Sequence, residues 1–255
     1  VSERGPAVVG RSLRLAIGTL TAIPVPAVTR VSPTIATGAM VLAPVAALPL
    51  GLLVGAIVWA GAQATIPPLA VALVALGALA LGSRALHLDG LSDVADGLTA
   101  SYDRERSLAV MKSGTAGPAG VVAIVIVLGA QAAALATYVD DVRSAVIAGL
   151  AVCASRAALW ITCATGVPSA RPDGLGSTFT ERVPGWWTLL GWAGLVAAAL
   201  LVDTWRGPVA VALAALVVLL LVGRAVRRFG GVTGDVFGAA IELALATLLI
   251  GLANA

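Results

Sequence analysis

The chain has 255 residues, of which 59% are hydrophobic and only 11% charged, whereas a soluble domain carries about 25% charged residues. That balance excludes an ordinary soluble globule. It predicts an all-α polytopic membrane bundle, a single integral membrane domain over 1–255 with about seven transmembrane helices. A net charge of +3 gives no footprint for nucleic acid, and none is expected as a partner.

The opening segment reads as a helix over 8–23, with Arg11 and Arg14 near its start and Pro24 and Pro26 beyond its end. Such a helix spans, re-enters or lies on the bilayer. No small-residue cleavage site follows a short apolar core, so no secretory signal is expected. Long apolar runs follow at 35–60, 67–84, 116–137, 144–166, 185–202, 207–223 and 236–253. Each is near the roughly 20 residues a span needs. Pro44 and Pro49 are expected to kink the first run, with a re-entrant path open there. Cys153 and Cys163, ten residues apart in one apolar run, lie too far apart along a helix to bridge and read as small buried hydrophobes.

Basic residues alternate between the connections. Arg4, Arg11, Arg14 and Arg30 precede the first span, and Arg84, Arg104, Arg106 and Lys112 occupy the loop at 84–115. Arg171 and Arg182 lie in the loop at 167–184, and Arg224, Arg227 and Arg228 in that at 224–235. The intervening turns are short, and carry Asp140 and Asp141 beside Arg143, or Asp203 beside Arg206. By the positive-inside rule this places the N-terminus and the three basic loops in the cytoplasm. Those loops also hold the polar, glycine-bearing segments, so the chemistry is expected on that side.

The most informative segment is His87-Leu-Asp89-Gly-Leu-Ser-Asp93-Val-Ala-Asp96-Gly97. Asp89, Asp93 and Asp96 recur at i, i+4 and i+7, so on a helix they fall within roughly 60° of one another. Neighbours at about 5–6 Å repel by roughly 3 kcal/mol at an effective dielectric near 20. A divalent cation relieves that repulsion, and oxygen-only ligands favour Mg²⁺, with Mn²⁺ as the alternative. The bland alternative is a solvated loop whose acids cap helices. His87 reads either as an interfacial residue or as a phosphate contact or proton carrier.

Downstream, the basic helix over 104–112 leads through Gly114 and Gly117 into the next span. A helix start with flexible glycines beside Lys112 suits a phosphate, while lipid snorkelling accounts equally for the arginines. Arg156 lies inside an apolar run and calls for an acidic or phosphate partner. Arg171 with Gly174 and Gly176 reads as a phosphate loop or as a plain turn. Asp235 and Glu242 are seven residues apart and share a helix face, with Glu242 about 10 Å deeper. A carboxylate so deep needs a partner, a proton or a metal, and a second set of metal ligands facing the first is one reading. Acids for a metal, with Arg, Lys and backbone amides for phosphates, describe phosphoryl transfer by positioning and electrostatics. No Walker loop, kinase signature or nucleophile elbow is present, which favours direct in-line attack by a substrate hydroxyl.

At these residues the chain resembles the cobalamin synthase family, the adenosylcobinamide-GDP ribazoletransferases. The matching pieces are Thr19-Leu-Thr21-Ala-Ile-Pro24-Val-Pro26, the segment from His87 to Gly97, Met111-Lys112 through Gly117, Arg171-Pro-Asp173-Gly174-Leu-Gly176, and Gly234-Asp235-Val-Phe-Gly238-Ala-Ala-Ile-Glu242. Ser113 stands where the family usually has an acid, and Asp173 where it often has Glu. The resemblance implies that adenosylcobinamide-GDP and α-ribazole, or its 5′-phosphate, are joined to adenosylcobalamin or its 5′-phosphate. GMP is released and Mg²⁺ is required. The bacterial cytoplasmic membrane is the expected location, with the lipid bilayer as partner and a homo-oligomer left open. On this reading Asp89, Asp93, Asp96, Asp235 and Glu242 hold metal, and His87 or one of the acids takes the hydroxyl proton. Lys112, Gly114, Gly117, Arg156, Arg171, Gly174 and Gly176 meet phosphates. Two rivals share parts of the pattern. A CDP-alcohol phosphotransferase matches Asp93-Val-Ala-Asp96-Gly97 but needs an arginine where Ser101 stands. An ion-coupled transporter would set its acids at midplane.

Overall fold

A computed structural model describes residues 5–253, so Arg4 lies outside the described residues. Every regular element among them is helical, and the only strand-like pairings are two isolated bridges, Ala164 with Val183 and Ser169 with Val232. The helices are α1 (Pro6–Leu20), α2 (Pro33–Val41), α3 (Ala43–Ala46), α4 (Leu48–Gln63), α5 (Pro68–Gly82), α6 (Leu86–Ala100) and α7 (Arg104–Met111). They continue with α8 (Pro118–Ala136), α9 (Val142–Ser155), α10 (Ala158–Thr162), α11 (Gly174–Phe179), α12 (Gly185–Ala199), α13 (Arg206–Phe229) and α14 (Gly234–Gly251). Pro6, Pro33, Pro68 and Pro118 each open a helix, where proline's missing N–H costs nothing and its fixed φ is already helical.

Four segments are long and apolar enough to cross a membrane: α8, α9 with α10, α13 and α14. A fifth candidate is the pair α5 and α6, bent by 90° at the break, and α4 and α12 are shorter apolar helices. This differs in detail from seven uniform spans. The run at 35–60 is cut into α2, α3 and α4, with Pro44 in the first turn of α3 and Pro49 in the first turn of α4, because proline cannot supply the amide a continuous helix needs there. The run at 67–84 ends at Gly82, where Arg84 and Ala85 both take left-handed backbone angles, φ 58° and 54°. Two such residues in succession turn the chain at a cost of about 1–2 kcal/mol each. Arg84 holds the bend by donating to the carbonyls of Gly18 and Thr19, at 2.8 and 3.3 Å, at the end of α1.

Helix α14 is the central staff. Val236, Ala239, Ala240, Ile241, Ala244 and Leu245 are fully buried, and α6, α8, α9, α10 and α13 all pack on it. Small residues allow this close approach, as is usual between helices in lipid. Large apolar side chains such as Leu52, Leu81, Leu189 and Leu201 face outward. With spans of this length, that apolar girdle makes the chain an integral membrane protein. Cys153 and Cys163 are buried and free.

The two ends of the bundle are built differently. At one end the three basic loops are tied together by arginines donating to backbone carbonyls. Arg104 reaches Ala170 at 3.1 Å, Arg171 reaches Leu108 at 2.7 Å, and Arg228 reaches Ser101 and Tyr102. The bridge at Ser169 and Val232 adds the amide of Ala170 to Val232 O and that of Val232 to Pro168 O, both 2.9 Å. At the other end two short turns meet through Arg143, which donates to Val202 O.

Candidate active site

The site is built where α6 crosses the start of α14. A Cβ on Gly90 would lie 2.5 Å from the Asp235 carbonyl oxygen, and one on Gly238 would lie 2.9 Å from the His87 Cα. Only glycine lets the two backbones approach so closely. That contact sets Asp89 and Asp93 of α6 beside Asp235 in the first turn of α14. The three carboxylates are near enough to act on one another, and Arg171 is the cation that faces Asp93 and Asp235. Thr233 donates its hydroxyl to Asp235 Oδ2 at 3.0 Å. Asp89 is exposed and Asp93 half-buried, and neither accepts a hydrogen bond from any described residue.

Three spaces that share wall residues lie around these acids, two of them bordered by Asp235 and one also by Asp89. A cleft of about 160 Å³ lies between the 171–176 loop and the start of α14, bordered by Arg171, Gly174, Gly176, Thr233 and Asp235. Arg171 and Ser169 also border a wider polar cavity of about 480 Å³ that takes in Arg104 and Arg182. Leu175, Gly234 and Asp235 are shared with an apolar chamber of about 110 Å³, reaching down past Asp89 and His87. Asp235 thus borders both the cleft and the apolar chamber, and Arg171 borders both the cleft and the wider cavity, which also holds Glu181.

A profile of the cobalamin-5-phosphate synthase family matches residues 12–253. The chain belongs to that family. Relatives named adenosylcobinamide-GDP ribazoletransferase include one from a Nocardioides species, 58% identical over 237 residues that cover 93% of this chain and 96% of the relative. The Frankia casuarinae protein of that name is 36% identical, covering 93% of this chain and 92% of its own length. One from Pseudomonas aeruginosa is 35% identical over 95% and 98%. No solved structure matches the chain.

For a cobalamin-5-phosphate synthase of this sequence, the five acids expected to hold metal are divided by the structure. Asp89 and Asp235 border the apolar chamber, and Asp93 lies near both, with Asp96 also within reach of its charge. Asp96 is buried, and its carboxylate accepts the amides of Gly117 at 2.7 Å and Gly120 at 2.9 Å. It caps the start of α8, where unpaired amides and the helix dipole both favour a negative charge. Glu242 lies 5% exposed in the core. It accepts from Gln131 Nε2 at 2.8 Å, has His87 Nδ1 3.8 Å away, and faces the charge of Arg156. The deep carboxylate has found partners on neighbouring helices, and α14's seven-residue spacing carries it away from Asp235.

The residues expected at phosphates divide in the same way. Arg171, Gly174 and Gly176 line the cleft. Gly176 packs against Val232 and Thr233, where a Cβ would come within 3.1–3.2 Å. Gly117 is spent on Asp96, while Lys112 and Gly114 are exposed beyond the end of α7. Arg156 is wholly buried and donates to Val152 O at 2.8 Å and Ser155 Oγ at 2.9 Å. It borders none of the three spaces. Arg104 reads from the sequence equally as a phosphate or a lipid contact, while Arg182 and Thr233 carry no site reading there. A guanidinium whose neighbour is contributed by a distant loop carries no local signal, although Thr233 before Gly234-Asp235 does have the look of a helix start.

Among the described residues no three acids, histidines or cysteines are arranged as a ready metal cage. Magnesium seldom needs one, since it is usually held by one or two carboxylates together with substrate phosphates and water. The carboxylates of exposed Asp89 and half-buried Asp93, with Asp235 beside them, fit that shared mode.

Proposed function

We propose that this chain is an adenosylcobinamide-GDP ribazoletransferase, joining its namesake substrate to α-ribazole or α-ribazole 5′-phosphate with release of GMP. The observation that carries this is the nearness of Asp89, Asp93 and Asp235 to one another and to Arg171, beside a cleft that shares Arg171 with an arginine-bearing cavity and Asp235 with an apolar chamber. The family membership agrees with it.

Asp89, Asp93 and Asp235 would hold Mg²⁺ jointly with the substrate diphosphate. When bound, the ion neutralises phosphate charge and polarises the phosphorus under attack. The chain's own groups do the rest. Arg171, with Arg104 and Arg182 farther into the arginine-bearing cavity, holds the diphosphate and the departing GMP phosphate through guanidinium donors matched to phosphate oxygens. The ribazole 3′-oxygen forms a bond to the cobinamide-side phosphorus as the bond from that phosphorus to the GMP oxygen breaks. The hydroxyl proton passes to a carboxylate of the cluster. Asp96, Glu242 and Arg156 act behind the site by fixing α8, α14 and α9.

The same reading puts the protein in a bacterial cytoplasmic membrane with this site on the cytoplasmic side. The support is the arginine asymmetry, with Arg104, Arg106, Arg171, Arg182, Arg224, Arg227 and Arg228 at this end.

The test is to incubate detergent-purified protein with adenosylcobinamide-GDP, α-ribazole 5′-phosphate and Mg²⁺, following GMP and the corrinoid product. One GMP per cobalamin 5′-phosphate is expected, only with both substrates present, and none after chelation of the metal. Release of GMP without ribazole phosphate, or no release at all, overturns the proposal.

A further inference from the structure

We propose that the apolar chamber beneath Asp89 and Asp235 seats the flat heterocyclic base of the ribazole substrate, and that its walls set which bases are accepted. This rests on the transferase reading above. The chamber is lined by residues of α1, α2, α6, α10, α11 and α14, with Met40, Leu159, Phe179, Phe237 and Ile241 among its walls. Asp89 and Asp235 form its rim. A nucleoside whose base enters the chamber therefore brings its sugar to the acids, while the arginines lie beyond, in the cavity reached through Arg171.

Elimination among the groups the two substrates carry leads to the same occupant. A phosphate here would meet the carboxylates of Asp89 and Asp235 with no Lys or Arg in the wall to offset them. Guanine carries several donors and acceptors on its edges, which Met40, Leu159, Phe179, Phe237 and Ile241 leave unmet. A corrin is many times too large for about 110 Å³. A dry cavity of about 150 Å³ takes up benzene, so a partly open space of about 110 Å³ admits the edge of one flat aromatic system and leaves the rest of it at the mouth. Benzimidazole is apolar and planar, and its free ring nitrogen is its one hydrogen-bonding atom once the other nitrogen bears the sugar. The polar residues on the chamber wall are Thr19, His87, Asp89 and Asp235. The His87 Nδ1 atom is itself buried and lies 3.8 Å from Glu242 Oε1.

Leu175 is the wall to alter. It borders both the chamber and the cleft, belongs to the short α11, and is 50% exposed, so its replacement does not disturb the core. Purified full-length protein is assayed with ribazole phosphates carrying unsubstituted benzimidazole, 5,6-dimethylbenzimidazole, or a larger naphthimidazole. Selectivity is read as the ratio of kcat/KM between two bases within one preparation, which does not depend on how much protein is folded. Leu175→Trp is expected to shift that ratio about tenfold toward the smallest base, and Leu175→Ala toward the largest, since one methylene in an apolar pocket is worth about 10–200-fold. The KM for adenosylcobinamide-GDP is expected to stay put. Unchanged ratios in both variants, or a changed KM for the corrinoid with unchanged base selectivity, overturns the assignment. If Leu175→Trp yields no protein, the ratio for Leu175→Ala decides alone. Failure of the wild type to release GMP instead removes the transferase reading itself, so the two failures are distinguishable.

Discussion

The acids at the two ends of the bundle have opposite lives. At the end with the short turns, Asp141 accepts the Ser144 amide at 2.7 Å, and Asp203 accepts those of Trp205 and Arg206 at 2.9 and 2.7 Å. These bonds to the backbone hold both carboxyls below the usual aspartate range. At the basic end Asp89, Asp93 and Asp235 crowd together, and Asp89 and Asp93 hold no helix start at all. Acids that satisfy amides need nothing further. Acids gathered without such partners repel one another and are relieved by a cation or a proton from outside the chain. Asp96 is the instructive intermediate, because it stands in the sequence of the second group and does the work of the first.

The strongest way to break this comparison is to change Asp93 and Asp96 separately. Asp93→Asn keeps the side chain's shape and removes its charge. It is expected to lower turnover by about 10²–10³-fold, the scale for losing one electrostatic stabiliser, with the thermal midpoint nearly unchanged. Asp96→Ala is expected to act the other way round on stability. It leaves the Gly117 and Gly120 amides unpaired in a buried place, at a cost of about 3 kcal/mol. Thermal unfolding in detergent and GMP release, measured on both variants, check the pair. A destabilised Asp93→Asn or a fully stable Asp96→Ala reverses the division.

Gly90→Ala sharpens the same point from the backbone. Its Cβ would meet Asp235 O at 2.5 Å, so α6 and α14 must part by an ångström or so. Overpacking of this kind costs about 1–3 kcal/mol. Because it moves Asp89 and Asp93 away from Asp235, turnover is expected to fall more than stability does. Comparison of kcat with the thermal midpoint separates that outcome from simple unfolding.

Much of this was legible from the residues. The i, i+4, i+7 spacing of Asp89, Asp93 and Asp96 foretold a helix, and α6 carries all three. The apolar runs at 116–137, 144–166, 207–223 and 236–253 foretold four spans, and Pro44 and Pro49 the breaks in the run at 35–60. What spacing along one helix cannot show is which neighbour each face will meet. Asp96 is turned to α8, and Glu242 meets Gln131, 111 residues away in sequence, so neither fate has a local signature. The 90° bend after α5 was hidden for a related reason. Arg84 and Ala85 are ordinary helix formers, and their left-handed angles are set by the grip of Arg84 on α1. The apolar chamber is the extreme case, being walled by Met40, Leu159, Phe179 and Ile241 from four separate helices.

The smallest expected effect lies at the quiet end and tests the other half of the comparison. Asparagine caps helix starts about as well as aspartate, so Asp203→Asn should leave both turnover and neutral-pH stability close to the wild type. The difference is expected in acid. Asp203 has its carboxyl held below the ordinary 3.8 by the amides of Arg206 and Trp205. A carboxyl lowered on folding stabilises the fold above its unfolded value, and that contribution disappears as the pH falls through the lowered folded value. Wild type should therefore lose stability below about pH 4 relative to Asp203→Asn, in which no charge is titrated at this position. Thermal midpoints of the two proteins between pH 7 and pH 3 measure this. Parallel curves down to pH 3 would mean that Asp203 is only a solvated turn residue, and that the capping bonds do not distinguish this end of the molecule from the other.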